Sequence, residues 1–150
     1  MYKDLLREIA RKRAKYSQSM QPPCADEKLD QLKGRALDEL SAAPPDEYIG
    51  FLKITNGLDW NGLLIYACET SPISGYSDRF VPGFLETNLR TREECEPCRD
   101  FLFFGDSGID AYAYKISKKE YQILDRSSME LTETFPSFDA LISVALRIHL

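Results

Sequence analysis

A chain of 150 residues with 43% hydrophobic and 29% charged side chains has the size and balance of one soluble globular domain, which excludes a disordered tail and any need for disulfide staples. The formal net charge of −5 is uneven: Met1 to Met20 holds six of the 19 basic residues against only Asp4 and Glu8, so the remainder is strongly acidic. Such a surface repels phosphate backbones, which disfavours nucleic acid as a partner outside the basic first segment, and it attracts a basic protein.

In chain order, Tyr2, Leu5, Leu6, Ile9 and Tyr16 recur near helical spacing while Arg7, Arg11, Lys12 and Lys15 fall elsewhere, predicting an amphipathic first helix ended by Pro22 and Pro23. The same N-terminus has no apolar run followed by a small-residue cleavage site, and the longest apolar stretches, Leu63 to Cys68 and Ala140 to Leu146, fall well short of the roughly 20 residues a membrane span needs. A cytoplasmic protein without membrane contact is the expectation. A second helix carries Leu29, Leu32, Ala36, Leu37 and Leu40 on one side, with Asp26 and Glu27 at its positive end. A third begins at Pro45, with Tyr48, Phe51, Leu52 and Thr55 at i, i+3, i+4 and i+7, and stops at Asn56-Gly57.

Asn61-Gly62 turns the chain into a short apolar strand, Leu63 to Tyr66. The segment from Glu69 to Arg99, broken by Pro72, Gly75, Pro82 and Gly83, suggests only a short helix over Leu85 to Arg92. From Phe101 the pattern becomes an antiparallel meander: Phe101 to Phe104, a turn over Gly105 to Asp110, Ala111 to Ile116, another turn, Tyr121 to Asp125, and a last strand from about Met129 to Thr134. Tyr112, Tyr114 and Ile116 alternate with Ala111, Ala113 and Lys115, as on a sheet with one face against a helix layer. Ser137 then caps a closing helix whose stripe is Phe138, Leu141, Ile142 and Ala145. The fold class is therefore α+β: a mostly antiparallel sheet, with its meander in the C-terminal half, flanked by N-terminal helices and closed by a C-terminal helix, in one domain over residues 1–150.

The order of blocks is informative. A helix, then FLKITNGLDWNGLLIY from Phe51, FLFFGDSGIDAYAYKI from Phe101, YQILDRSSME from Tyr121 and FPSFDALI from Phe135 resembles a domain of the SUKH superfamily, in its YrhA-like branch, over about Pro44 to Arg147. The resemblance implies an α+β fold and, for bacterial members, an immunity protein that binds a toxin domain, often a nuclease, of a polymorphic toxin system. It also implies an alternative, because related domains serve as regulatory interaction modules.

Catalytic chemistry finds little footing. Asp106, Asp110 and Asp125 could hold Mg²⁺ or Ca²⁺, yet Asp106-Ser107-Gly108 is also ordinary turn chemistry. The one histidine, His149, has no evident nucleophile to serve. Cys95 and Cys98 form a single CxxC without a second pair; with Cys24 and Cys68 they are expected to be reduced thiols. Neither catalysis nor a cofactor is expected. Trp60, between Asp59 and Asn61, is either an interface anchor on a loop or a core side chain. Asp59, Trp60, Tyr66, Glu86, Asn88, Asp106, Asp110 and Tyr112 sit near predicted loops or strand ends and are the candidates for a partner-binding groove, the partner being a basic toxin domain.

Overall fold

The computed structural model describes residues 1–150. Helix α1, Tyr2–Ala14, buries Tyr2, Leu6 and Ile9 as its spacing requires. It stops well before the prolines, in a tightened turn through Ser17, which is left-handed at φ 55°. Tyr16 therefore leaves the stripe and is exposed, and Arg13 takes a buried position one turn beyond Ile9. Helix α2, Asp26–Leu40, buries Leu29, Leu32, Ala36 and Leu40. Leu37 turns outward, because it sits about 100° around the axis from Ala36.

Helix α3, Asp46–Leu52, follows Pro45 and buries Tyr48, Ile49, Phe51 and Leu52. It ends before Thr55, whose hydroxyl donates to the Gly57 carbonyl at 2.9 Å. Gly57 has φ +83°, and a Cβ there would lie 2.8 Å from both the Ile65 oxygen and Val81 Cγ1, so the chain turns into the sheet only with glycine.

Strand β1, Leu58–Trp60, and β2, Leu63–Ile65, form a hairpin over Asn61 and Gly62, both at positive φ (47° and 84°). Trp60 thus lies at the end of a strand rather than on a loop. A two-stranded ladder, β3 (Ser71–Pro72) with β4 (Phe80–Val81), precedes helix α4, Phe84–Glu94. A 3-10 turn over Glu96–Asp100 follows, and a disulfide joins Cys95 to Cys98 across it, correcting the expectation of four reduced thiols. Cys24 and Cys68 are free and buried.

The meander is β5 (Phe101–Asp106), β6 (Asp110–Lys115), β7 (Glu120–Asp125) and β8 (Leu131–Phe135). Gly105 continues β5 instead of opening the turn, which is confined to Ser107, Gly108 and Ile109. Six strands run in the order β1-β2-β5-β6-β7-β8, each antiparallel to its neighbour. Helix α5, Phe138–His149, starts as its sequence dictates: the Ser137 hydroxyl accepts from Ala140 N–H at 3.1 Å.

The fold is α+β, a mostly antiparallel sheet with N-terminal helices and a closing helix. Opposed residues of antiparallel strands share a face, so Tyr112 with Ile123 and Tyr114 with Tyr121 line one side of the sheet. Phe104 stacks on Tyr121 and meets Phe138 of α5 edge-on at 5.1 Å, while Phe138 also packs on Tyr2, Tyr48 and Phe51. Each such ring contributes on the order of 2 to 3 kcal/mol of burial, which makes α5 the element that holds α1 and α3 to the sheet. No helix is long and apolar enough to cross a membrane.

Candidate protein-interaction surface

Pairing across β1, β2 and β5 places Asp59 opposite Leu64 and Leu64 opposite Asp106. The two carboxylates therefore occupy one row on one sheet face, two strand spacings or roughly 10 Å apart. Tyr66, just past β2, donates its hydroxyl to Asp106 Oδ2 at 2.5 Å. Burial and then the Asp106 charge push the Tyr66 hydroxyl far above its ordinary pKa, so it stays a donor. Arg126 Nη1 stands 3.9 Å from Asp106 Oδ1 and donates to the Ser107 carbonyl at 3.0 Å.

At the β1 edge, Asp59 and Trp60 meet residues from two other parts of the chain. The Asp59 carboxylate accepts from Arg79 Nη2 at 3.1 Å, and its carbonyl accepts from Arg13 Nη2. Arg13 lies over the Trp60 ring at 5.2 Å, and Arg79 over the Tyr76 ring at 5.0 Å. Gln18, Asn61 and Ile73 complete the walls of an open cleft of about 180 Å³. Burial lowers the Arg13 pKa, with Asp59 pulling the other way. Arg13 Nε and Trp60 Nε1 are buried without a hydrogen-bond partner. The cleft holds one carboxylate beside two guanidiniums and two aromatic rings, and arginine, tryptophan and tyrosine are the side-chain types in which binding hot spots are enriched. Sequence reasoning missed Arg13, Arg79 and Tyr76. Arg13 left a signal, since Leu6, Ile9 and Arg13 follow i, i+3, i+7, which puts a cation on the apolar stripe.

The other candidates lie elsewhere. Asp110 faces Asp125 across β6 and β7, and the Ser107 hydroxyl accepts from the N–H groups of Ile109 (3.3 Å) and Asp110 (3.0 Å). Asp125 accepts from Ser127 and Ser128 N–H, each at 2.9 Å, and the Ser128 bond leads in holding its carboxyl below the ordinary range. These acids shape turns, and no group of metal-binding side chains converges there. They do form an acidic end of the sheet around the protruding Ile109, which is 74% exposed. Tyr112 is buried, its pKa raised to about 12 chiefly by burial.

Glu86 is exposed on α4 and accepts from Thr70 N–H at 3.1 Å and the Thr70 hydroxyl at 3.0 Å. Asn88, two residues on, is wholly buried and bonds both backbone groups of Phe103. The eight predicted residues thus do not line one groove. Asp59 and Trp60 share the cleft; Asp106 and Asp110 sit at the acidic end with Tyr66 and Tyr112 buried behind them; Glu86 and Asn88 belong to α4.

No protein-family model matches the chain, and no curated protein is similar to it. The surface itself must therefore carry the functional argument. It offers two accessible features: the Arg13–Trp60–Asp59–Arg79–Tyr76 cleft and the carboxylates of the β5–β6 turn.

Proposed function

We propose that this chain works by binding another protein, as an immunity protein that occludes a basic toxin domain, with a nuclease as the leading class of toxin. The observation that carries the protein-binding part of the reading is the cleft at the β1 edge, where Arg13 and Arg79 lie over Trp60 and Tyr76 around Asp59; the basic character of the partner is argued from the acidic surface elsewhere. Stacked arginines and aromatics lose little side-chain freedom on binding and bury large areas, which suits them to anchor a partner. The net charge of −5 and the Asp106, Asp110 and Asp125 carboxylates at the turn end favour encounter with a positively charged surface. The resemblance to the SUKH superfamily supports the toxin as the kind of partner. The chemistry is occlusion, so it calls for neither catalysis nor a cofactor.

The test is affinity capture of the tagged chain from its native cells, identification of any stoichiometric partner, and expression of that partner with and without this chain. A partner whose toxicity is abolished establishes the reading. Several non-toxic partners sink it and indicate an adaptor module instead.

A further inference from the structure

The Trp60 cleft carries an electrostatic imbalance. Arg13 and Arg79 reach the same residue from different segments of the chain, Arg13 through the Asp59 carbonyl and Arg79 through the Asp59 carboxylate. Among the side chains that line the cleft these are the two cations, and Asp59 is the one anion. Two positive charges against one negative leave one positive charge uncompensated. A guanidinium stays protonated in a protein, so losing a proton does not remove the surplus.

Donors are left over as well. Arg13 and Arg79 each bond Asp59 through Nη2 alone, so Arg13 Nη1 and both Nε and Nη1 of Arg79 make no bond within the chain. Arg13 is only 7% exposed, and its Nε is buried without a partner. The Trp60 ring lies against its guanidinium at 5.2 Å, which holds the planar fork in one orientation before anything binds. Burial is the main cause that lowers the Arg13 pKa; Asp59 opposes it, and the nearby Arg79 charge adds to it. A second anion in the cleft relieves both the burial and the repulsion between the two guanidiniums.

We propose that the cleft seats a single carboxylate of the protein partner, an acidic side chain or a chain end, between Arg13 and Arg79 and against the Trp60 and Tyr76 rings. One carboxylate neutralises the surplus charge and accepts from the free guanidinium N–H groups, whereas a doubly charged phosphate overshoots and faces Asp59 with excess negative charge. The open volume of about 180 Å³ is below the roughly 300 Å³ and upward of small-molecule pockets, and so suits one projecting side chain better than a free metabolite. The acidic turn end and the cleft then make opposite demands on one partner surface. The first draws in positive charge; the second requires an acid at one place, which fixes the register of docking. This inference rests on the reading of the chain as a protein binder and states which group of the partner the cleft takes.

The probes are a short capped peptide with one glutamate among glycines and serines, its glutamine twin, a glycine-serine peptide with a free C-terminus, and inorganic phosphate. Each is titrated into the uniformly labelled chain and followed by NMR shifts of the Trp60 indole N–H and the arginine Nε–H groups. The expected result is a saturable shift of Trp60, Arg13 and Arg79 with a carboxylate peptide and at least tenfold weaker binding of the glutamine twin. The tighter of the glutamate and free-terminus peptides identifies the source of the carboxylate. Arg79→Gln should weaken that peptide at least tenfold, with unchanged amide shifts across the sheet verifying the fold. Equal binding of the glutamate and glutamine peptides, phosphate binding more tightly than either carboxylate peptide, shifts confined to Lys3, Arg7 and Arg11 on α1, or no shift up to the solubility limit would overturn the site while leaving the toxin test untouched. A carboxylate peptide bound in the cleft with no neutralised toxin would keep the site and sink the immunity reading.

Discussion

The side-chain amide of Asn88 stands in for a β-strand: its Oδ1 accepts from Phe103 N–H at 2.7 Å and its Nδ2 donates to Phe103 C=O at 3.0 Å. Nδ2 also reaches the Phe84 carbonyl at 2.9 Å, which locks the amide to its own helix one turn back. A polar residue of α4 thereby closes the part of β5 that the short β2 leaves unpaired.

Asn88→Ala should therefore destabilise the fold without touching a binding face. Two buried backbone groups lose their partners, at about 1 to 3 kcal/mol each, so a loss of about 3 kcal/mol is expected in urea unfolding. Affinity for a captured partner, measured on the folded fraction, should be unchanged. Loss of affinity at full stability would instead return Asn88 to the interface.

This residue also marks where the sequence stops being legible. The closing helix was readable from local signals, Ser137 as cap and Phe138, Leu141, Ile142 and Ala145 as stripe, because cap and periodicity are properties of neighbours in the chain. The meander was readable for the same reason, from the alternation Ala111 to Ile116. Strand β1 was not, since Leu-Asp-Trp is too short to show a period, and the β3–β4 ladder of two residues per strand even less so. The Trp60 cleft depends on Arg13, Asp59 and Arg79 meeting from three separate segments. Asp59 was a candidate from the sequence, Arg13 left an unread signal as a cation at apolar spacing, and Arg79 left none.

The buried tyrosines predict alkaline sensitivity. Tyr48, wholly buried with its hydroxyl donating to the Tyr66 carbonyl at 2.6 Å, and Tyr66, bonded to Asp106, both have hydroxyl pKa values raised well above the ordinary value by burial first. A raised folded pKa means the contribution is fully present below the unfolded pKa of about 10 and is lost as pH rises beyond it. Each such tyrosine should cost about 1.4 kcal/mol per pH unit above that point. Urea unfolding between pH 8 and 11.5 should show this slope, and Tyr66→Phe should reduce it. A flat profile would mean that these hydroxyls ionise in the folded protein.

At the acid end the sensitive group is Asp139. Burial raises its pKa, but bonds from the Ser143 hydroxyl (2.8 Å), Tyr2 N–H (3.0 Å) and the N-terminal ammonium (3.3 Å) outweigh this and hold it below the ordinary value. A lowered folded pKa gives stability that is present above the unfolded pKa, about 3.9, and lost as pH falls through the folded one. Asp139→Asn should lower the Tm near pH 7 and remove part of the loss on going to pH 3, because the tie between the start of α1 and α5 no longer titrates. Equal acid sensitivity in parent and variant would assign the effect to other carboxylates.

The last prediction separates binding from stability at the cleft. Arg79 and Tyr76 lie over one another near the surface, with Tyr76 40% exposed, whereas Arg13 is buried between Trp60 and the Asp59 carbonyl. Tyr76→Ala and Arg79→Ala should therefore leave the Tm within about 2 °C, as surface changes usually do, yet weaken a captured partner at least tenfold if they anchor it. Arg13→Ala should instead lower the Tm, because it uncovers the Trp60 ring and frees the edge carbonyl of β1. Trp60 is the one tryptophan of the chain, so its fluorescence reports on this cleft alone. Partner binding should shift the emission in the parent, and the shift should need higher partner concentrations in the Tyr76 and Arg79 variants. Emission that stays constant through saturation would place the partner on another face, with the carboxylates of the Asp106 turn as the surface left to test.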